Sequence, residues 1–138
     1  MQYHLCFDHD LKKQTIKAFN KIKELARVEK HANIAIYVFK EDSFNPEDYE
    51  EKYIEEMKKL KKDFHLSYGN IDLFLITETR LRKMNNSGFP GGIALFFNKP
   101  DFVVEEIVKG KITDSVYVPC YVNEIDEYLN AFPSSVEV

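Results

Sequence analysis

The chain contains no tryptophan and only two cysteines, Cys6 and Cys120. Two thiols are too few for a disulfide framework, and each lies in an apolar, strand-like run, so we expect both to be reduced and buried. No apolar run reaches the ~18–20 residues that a transmembrane helix needs. The N-terminus also lacks the basic and apolar regions of a signal peptide. These absences predict a cytoplasmic protein that does not enter a membrane.

Positive charge is also scarce, because 19 Lys and Arg residues stand against 23 Asp and Glu residues and the formal net charge is −4. Nonspecific nucleic-acid binding draws most of its affinity from Lys and Arg contacts with phosphates. The charge balance therefore argues against broad nucleic-acid binding. The 138 residues, 44% of them hydrophobic, are enough for the core of one domain.

Strand-like and helix-like segments alternate along the chain. Strands are expected at residues 2–7, 33–39, 71–77 and 115–122. Amphipathic helices are expected at residues 11–26, 46–64, 100–108 and 124–132, whereas 93–97 fits either a strand or a helix. This alternation predicts a single α/β domain with three layers, in which helices flank a mostly parallel or mixed central sheet of about five strands.

Several residues refine this outline. Asp8 or Asp10 is suited to cap the first helix, and the near-continuous apolar run of 71–77 predicts a central strand that is buried on both faces. Pro119 argues that the last strand lies at an edge or contains a bulge. Residues 78–92 break the regular pattern, and the tail after the last helix is expected to fray.

Ligands of such sheets usually bind beyond the carboxyl ends of the strands. Three polar segments are expected to meet there, at residues 8–13, 40–47 and 77–92. The first segment contains a D-x-D pair typical of certain phosphatases, but the residues that should follow it are missing, and helix capping explains the pair better. Lys12 and Lys13 nevertheless mark a helix N-terminus where an anionic group would be stabilised.

The third segment contains the strongest candidate for chemistry. Glu78 directly follows a buried strand, where a carboxylate can hold magnesium or activate water. A helix cap or a salt-bridge partner explains Glu78 equally well. The glycines of residues 87–92 permit a close backbone approach to a ligand, although a plain turn explains them about as well. A zinc site formed by Cys6 and nearby histidines is not supported by any second pair of ligands.

The stretch from Leu75 to Phe97 resembles the inosine triphosphate pyrophosphatase (Ham1-like) family. In that family a buried strand ends in an acidic element, and a loop, a G-x-P-G turn and an apolar helix follow. Glu78, flanked by two threonines, stands at the acidic element. The turn is matched by Gly88, Phe89, Pro90 and Gly91.

Two upstream segments add to this resemblance, which covers about four-fifths of the chain. Residues 8–13 are similar to the family's phosphate-binding motif, and residues 45–48 are similar to its acidic metal-binding stretch. The resemblance implies that Lys12 and Lys13 meet the phosphates, that Lys59 approaches them from the second helix, and that Glu47 and Glu78 hold magnesium. The family's C-terminal motifs are missing from this chain.

Two functional hypotheses follow. The resemblance implies a magnesium-dependent nucleoside triphosphate pyrophosphatase, with Glu78 as the catalytic carboxylate that releases pyrophosphate. The alternative is a noncatalytic module, flavodoxin-like or TIR-like, that binds a nucleotide or a protein partner. A homodimer is compatible with both hypotheses.

Overall fold

The computed structural model describes residues 1–84, 91–97 and 110–138 of the chain. Within this part, the strands are β1 (Gln2–His4), β2 (Ala32–Val38), β3 (His65–Tyr68), β4 (Ile71–Thr77), β5 (Gly92–Phe96), β6 (Ile112–Tyr117) and β7 (Val136–Glu137). The helices are α1 (Leu11–Ala26), α2 (Ile54–Asp63), α3 (Glu78–Met84) and α4 (Glu124–Ala131). Across the described ranges, no helix is both long enough and apolar enough to span a bilayer.

The strands form one sheet in the order β3-β4-β2-β5-β6-β1-β7. Neighbouring strands are parallel throughout, except that β3 runs antiparallel to β4 as the partner strand of a hairpin. The predicted α/β class with a mostly parallel sheet is therefore confirmed. The seven observed strands exceed the expected five because β3 and β7, which lie at the two edges of the sheet, were not predicted.

Both faces of the sheet are covered, and each face has its own core. Helices α1 and α2 pack on the first face through Phe19, Ile22, Met57 and Leu60. Residues of α3 and α4, such as Leu81 and Tyr128, belong to the core of the second face. Side chains of a strand alternate between faces, so the apolar residues of β2 contribute to both cores.

The crossovers from the two central strands leave in opposite directions. From β2 the chain passes over the first face to β4, whereas β6, the strand that follows β5, lies on the opposite side of β5 from β2. Connections of this kind are right-handed in almost all parallel sheets. Opposite directions at adjacent strands create a switch point, and a crevice opens beyond the carboxyl ends of those strands. In this sheet the switch point lies between β2 and β5.

The strongest sequence signals are confirmed. Helix α1 has the predicted bounds, and its cap is Asp10, whose carboxylate accepts a hydrogen bond from the backbone N–H of Lys13 at 3.1 Å. Strand β4 matches residues 71–77 and contributes to both cores. The segment 93–97, which fitted either a strand or a helix, is strand up to Phe96, because these residues pair with β2 on one edge and with β6 on the other.

Other local predictions are wrong, and each error has a structural cause. The helix expected from Pro46 begins only at Ile54, because residues 46–53 form short 3₁₀ turns. These turns bury the ring of Tyr49 against Phe19 and Phe44. Residues 78–84 form helix α3 where an irregular loop was expected. The helix expected at 100–108 and the turn residues 85–90 lie outside the described residues.

Further predictions are wrong because strands β6 and β1 end earlier than the sequence indicates. Strand β6 stops at Tyr117, so Pro119 lies beyond it, and β6 lies between β5 and β1 instead of at an edge. Cys6 and Cys120 are free thiols, but both are exposed because each lies past the end of its strand. The tail is ordered by β7, which pairs with β1.

We predict that Gly92→Ala destabilises the fold by about 3 kcal/mol. Gly92 has φ +114°, and an added Cβ would lie 2.7 Å from the carbonyl oxygen of Asn33 at the junction of β5 with β2. Chemical denaturation measures the effect. Gly110→Ala is the control, because a Cβ there meets nothing within 4 Å. Equal stabilities of the two variants would contradict this account.

Candidate functional site

An open cleft of about 670 Å³ lies at the switch point, beyond the carboxyl ends of the central strands. Four chain segments form its walls: the start of α1, the segment after β2, the end of β5 and the loop after β6. The lining residues are Leu11, Phe39, Asp42, Ser43, Asn45, Asp48, Phe97, Cys120, Tyr121 and Glu124. Its volume is within the ~300–1,000 Å³ typical of sites for small molecules.

The wall formed by the segment after β2 is fixed in place by aromatic rings that are buried in the core. Phe44 and Tyr49 are almost fully buried and contact each other with ring centroids 5.6 Å apart. The side-chain oxygen of Asn45 accepts a hydrogen bond from the N–H of Glu47 at 3.1 Å and caps the short turn. Ser43, Asn45 and Asp48 therefore face the cleft from a segment whose shape is fixed by the core.

The opposite wall is held by the carboxylate of Glu124. One of its oxygens accepts hydrogen bonds from the Tyr117 hydroxyl at 2.6 Å and from the Cys120 N–H at 2.9 Å. Burial, followed by the hydrogen bond to Glu124, raises the pKa of Tyr117, so the hydroxyl stays protonated and keeps donating. This clamp fixes the turn that carries Cys120 and Tyr121. Although Cys120 as a residue is exposed, its sulfur donates to the carbonyl oxygen of Phe97 and is partly shielded from water. This desolvation, followed by the charge of Glu124, raises the pKa of the thiol to about 11, which disfavours the reactive thiolate at neutral pH.

The cleft combines aromatic rings with negative charge. Phe39 is 50% exposed and Tyr121 is 68% exposed. Carboxylates come from Asp42, Asp48 and Glu124, while no Lys or Arg among the described residues lines this volume. Such walls favour a flat apolar group that carries hydrogen-bond donors, and they repel a bare phosphate.

Positive charge begins just outside, at the first turn of α1. Lys12 and Lys13 are both exposed, and the ammonium of Lys13 lies 3.6 Å from the carboxylate of Asp8. A shallow hollow next to the cleft is lined by Asp10, Lys12, Lys13, Ile16, Lys17 and Asn20. The two surfaces adjoin, because Asp48 of the cleft lies close enough to Lys12 and Asp10 of the hollow for their charges to affect its pKa.

The predicted metal ligands lie in different surroundings. Glu78 is half-buried and accepts a hydrogen bond from the Tyr37 hydroxyl at 2.7 Å, on the second face of the sheet. Glu47 is 4.0 Å from the ammonium of Lys58, which belongs to helix α2 on the first face. The described part of the chain contains no group of three His, Cys, Asp or Glu residues that could hold a metal ion. The assignment of Glu47 and Glu78 as magnesium ligands therefore stays a prediction.

The remaining predicted residues lie in four different places. Lys12 and Lys13 adjoin the cleft, whereas Lys59 is exposed on helix α2 and does not line it. Gly91 precedes β5, and a Cβ there would lie 3.3 Å from the carbonyl oxygen of Lys111. Gly88, Phe89 and Pro90 lie outside the described residues.

Sequence reasoning missed the wall formed by Cys120, Tyr121 and Glu124. The segment was expected to be the end of a strand followed by a helix, with no part in the site. Pro119 was the available signal, because a proline after an apolar run ends a strand as readily as it marks an edge. The clamp between Tyr117 and Glu124 depends on the loop fold and has no signature in the sequence.

We predict that Asp48→Asn increases the midpoint of thermal unfolding at about pH 7 but not at about pH 3. Burial raises the pKa of Asp48, with Lys12 opposing this and Asp10 adding to it. The folded chain therefore binds the proton more tightly than the unfolded chain, so the carboxylate costs stability as the pH rises above its unfolded pKa, and the cost is complete above its folded pKa. Asp63→Asn, at an exposed position, is the control for loss of charge alone. A gain that is the same at both pH values would contradict this explanation.

Comparison with protein-family models, with curated proteins and with solved structures finds no match to this chain.

Proposed function

We propose that the chain is a nucleotide-binding domain whose ligand occupies the cleft at the switch point. The observation that carries this proposal is the adjacency of two surfaces of different chemistry. The cleft offers aromatic rings and carboxylates, and the exposed first turn of α1 next to it offers Lys12 and Lys13.

Each surface suits a different part of a nucleotide. A base can stack on an aromatic ring such as Phe39 or Tyr121, and contacts of this kind contribute about 1–3 kcal/mol per base. The hydroxyls of a sugar can donate hydrogen bonds to Asp48 or Asp42. The phosphates would extend away from these carboxylates toward the N–H groups and lysines of the α1 N-terminus.

Binding without turnover is the form of the proposal that the geometry supports best. The predicted catalytic carboxylate, Glu78, already accepts a hydrogen bond from Tyr37, and Glu47 lies beside Lys58. Magnesium therefore enters the proposal only as the ion that the phosphates of a nucleotide bring with them. A cytoplasmic location is part of this proposal.

Nucleotide hydrolysis is a second candidate function, and it is supported by one hydrogen bond between Glu78 and the wall of the cleft. The N–H of Glu78 donates to the carbonyl oxygen of Phe39 at 3.3 Å, and Phe39 lines the cleft. The carboxylate of Glu78 thus belongs to a residue in contact with the cleft wall. In this form the chain would be a nucleoside triphosphate pyrophosphatase, as the sequence resemblance implies.

We predict that at least one nucleotide stabilises the chain in a thermal-shift panel of nucleosides and their mono-, di- and triphosphates, measured with and without magnesium. Phe39→Ala should weaken the binding of that nucleotide about tenfold, because it removes a stacking surface. Tyr68→Ala is the matched control, since Tyr68 is an exposed ring (56%) on β3 that lines a different hollow, between α1 and α2, and not the cleft. No saturable shift with any nucleotide, or equal losses in both variants, would overturn the proposal.

The same nucleotide should be recovered intact after prolonged incubation with the protein and magnesium. Pyrophosphate and monophosphate are measured as the products that hydrolysis would give. The variant Glu78→Gln keeps a side-chain acceptor for the Tyr37 hydroxyl but removes the charge. Pyrophosphate release that disappears in Glu78→Gln and persists in Glu55→Gln, which removes an exposed carboxylate of α2 outside the cleft, would replace the binding proposal with the enzymatic one.

A further inference from the structure

A second hollow lies away from the cleft, between α1 and α2 and above the amino halves of β2 and β4. It has a volume of about 330 Å³. Its floor is apolar and consists of Phe19, Ile34, Met57, Leu66, Ile71 and Leu73. Leu66 and Ile71 are only partly buried, although both pack against the core of this face. Partly exposed apolar side chains in a concavity are a surface that a ligand can cover with a gain in free energy.

The rim of this groove, in contrast to the cleft, is basic. Lys23, Arg27 and Lys52 line it together with a single acid, Glu56. Lys23 and Lys52 each lie 3.7 Å from the carboxylate of Glu50. Three cations and two nearby carboxylates leave an excess of one positive charge at the rim.

The ammonium groups of both lysines already interact with side chains of the protein, whereas the guanidinium of Arg27 has no ion-pair partner among the described residues. The ammonium of Lys23 donates to the Tyr53 hydroxyl at 2.9 Å and also lies 4.6 Å from the centre of the Tyr53 ring. Lys52 lies 5.2 Å from the centre of the same ring. Among the described residues, Arg27 forms no ion pair, and its side chain is exposed at the end of α1. Its guanidinium is therefore the cation at this rim that is ready to take an anion.

We propose that this groove binds a small amphipathic carboxylate, with its apolar body on the floor and its carboxylate on Arg27. The excess of one positive charge matches a monoanion. The planar fork of a guanidinium fits the two oxygens of a carboxylate. An inorganic anion would leave the apolar floor uncovered, and a neutral hydrocarbon would leave Arg27 without a partner.

The size of the groove also limits the occupant. A volume of about 330 Å³ is at the lower end of the ~300–1,000 Å³ range of small-molecule sites. A folded protein partner would need a contact patch of about 800 Å² on each side. The fitting ligand is therefore a compact acid that carries one aromatic ring or a medium-length alkyl chain.

The test uses 6-phenylhexanoate as the probe and 6-phenylhexanamide as its neutral counterpart, both titrated into the full chain with detection by two-dimensional NMR. We expect the acid to shift signals of the groove residues with a Kd below about 1 mM, which is a modest affinity for a small ligand. The amide should bind at least about fivefold more weakly, since it lacks the charge that Arg27 recognises.

Two variants show whether Arg27 is the anchor. Arg27→Gln keeps an exposed side chain of similar length but removes the charge, and it should weaken binding of the acid about fivefold without changing binding of the amide. Lys62→Gln removes a charge from an exposed position of α2 outside the groove and should change neither. The proposal is overturned if the acid and the amide bind equally, if Arg27→Gln binds the acid as the unmodified chain does, or if the shifts map to the cleft. These outcomes do not depend on whether any nucleotide binds.

Discussion

The fold depends on the pairing of strand β2 with a neighbour on each edge and on the burial of both its faces. It pairs with β4 along its whole length from Ala32 to Val38 and with β5 through Ile34 to Tyr37. Its side chains alternate between the two cores, so a slip of one residue would exchange the buried contents of both faces. The close approach of Gly92 to Asn33 shows how tightly the β5 edge of this pairing is built. The cleft follows from this enclosure, because the chain must leave β2 and β5 in opposite directions.

The chemistry of the cleft is added to that framework by loops under local constraints. Buried rings fix the segment that carries Asp48, and the hydrogen bonds of Glu124 fix the turn that carries Tyr121. The burial that raises the pKa of Asp48 makes its charge a cost to the fold. Sites that bind ligands commonly carry such costs, because a group that is fully satisfied within the protein has little left to offer a ligand.

Periodicity was sufficient to predict α1 and β4, since each buries a continuous apolar pattern of its own. It was insufficient for β3 and β7, whose residues are mostly exposed and whose strand character comes from pairing with distant partners. The edge of the sheet where a site would lie could be predicted, and Lys12 and Lys13 lie beside the observed cleft. Tyr121 and Glu124 could not be predicted, because only the folded loop brings the carboxylate of Glu124 to the hydroxyl of Tyr117.

Helix α1 joins the two proposed sites, with Leu11 in the acidic cleft and Arg27 at the basic groove. Asp10 at its start and Lys23 in its last turn also complement the helix dipole, so helix stability alone accounts for charges of these signs. Helix stability does not account for the apolar side chains that lie beside these charges. Half-exposed rings in the cleft and half-buried Leu66 and Ile71 in the groove contribute nothing to the dipole and leave apolar surface in contact with water. This uncovered apolar surface therefore supports both proposed sites more strongly than the charges do, and the charges specify which ligand each surface accepts.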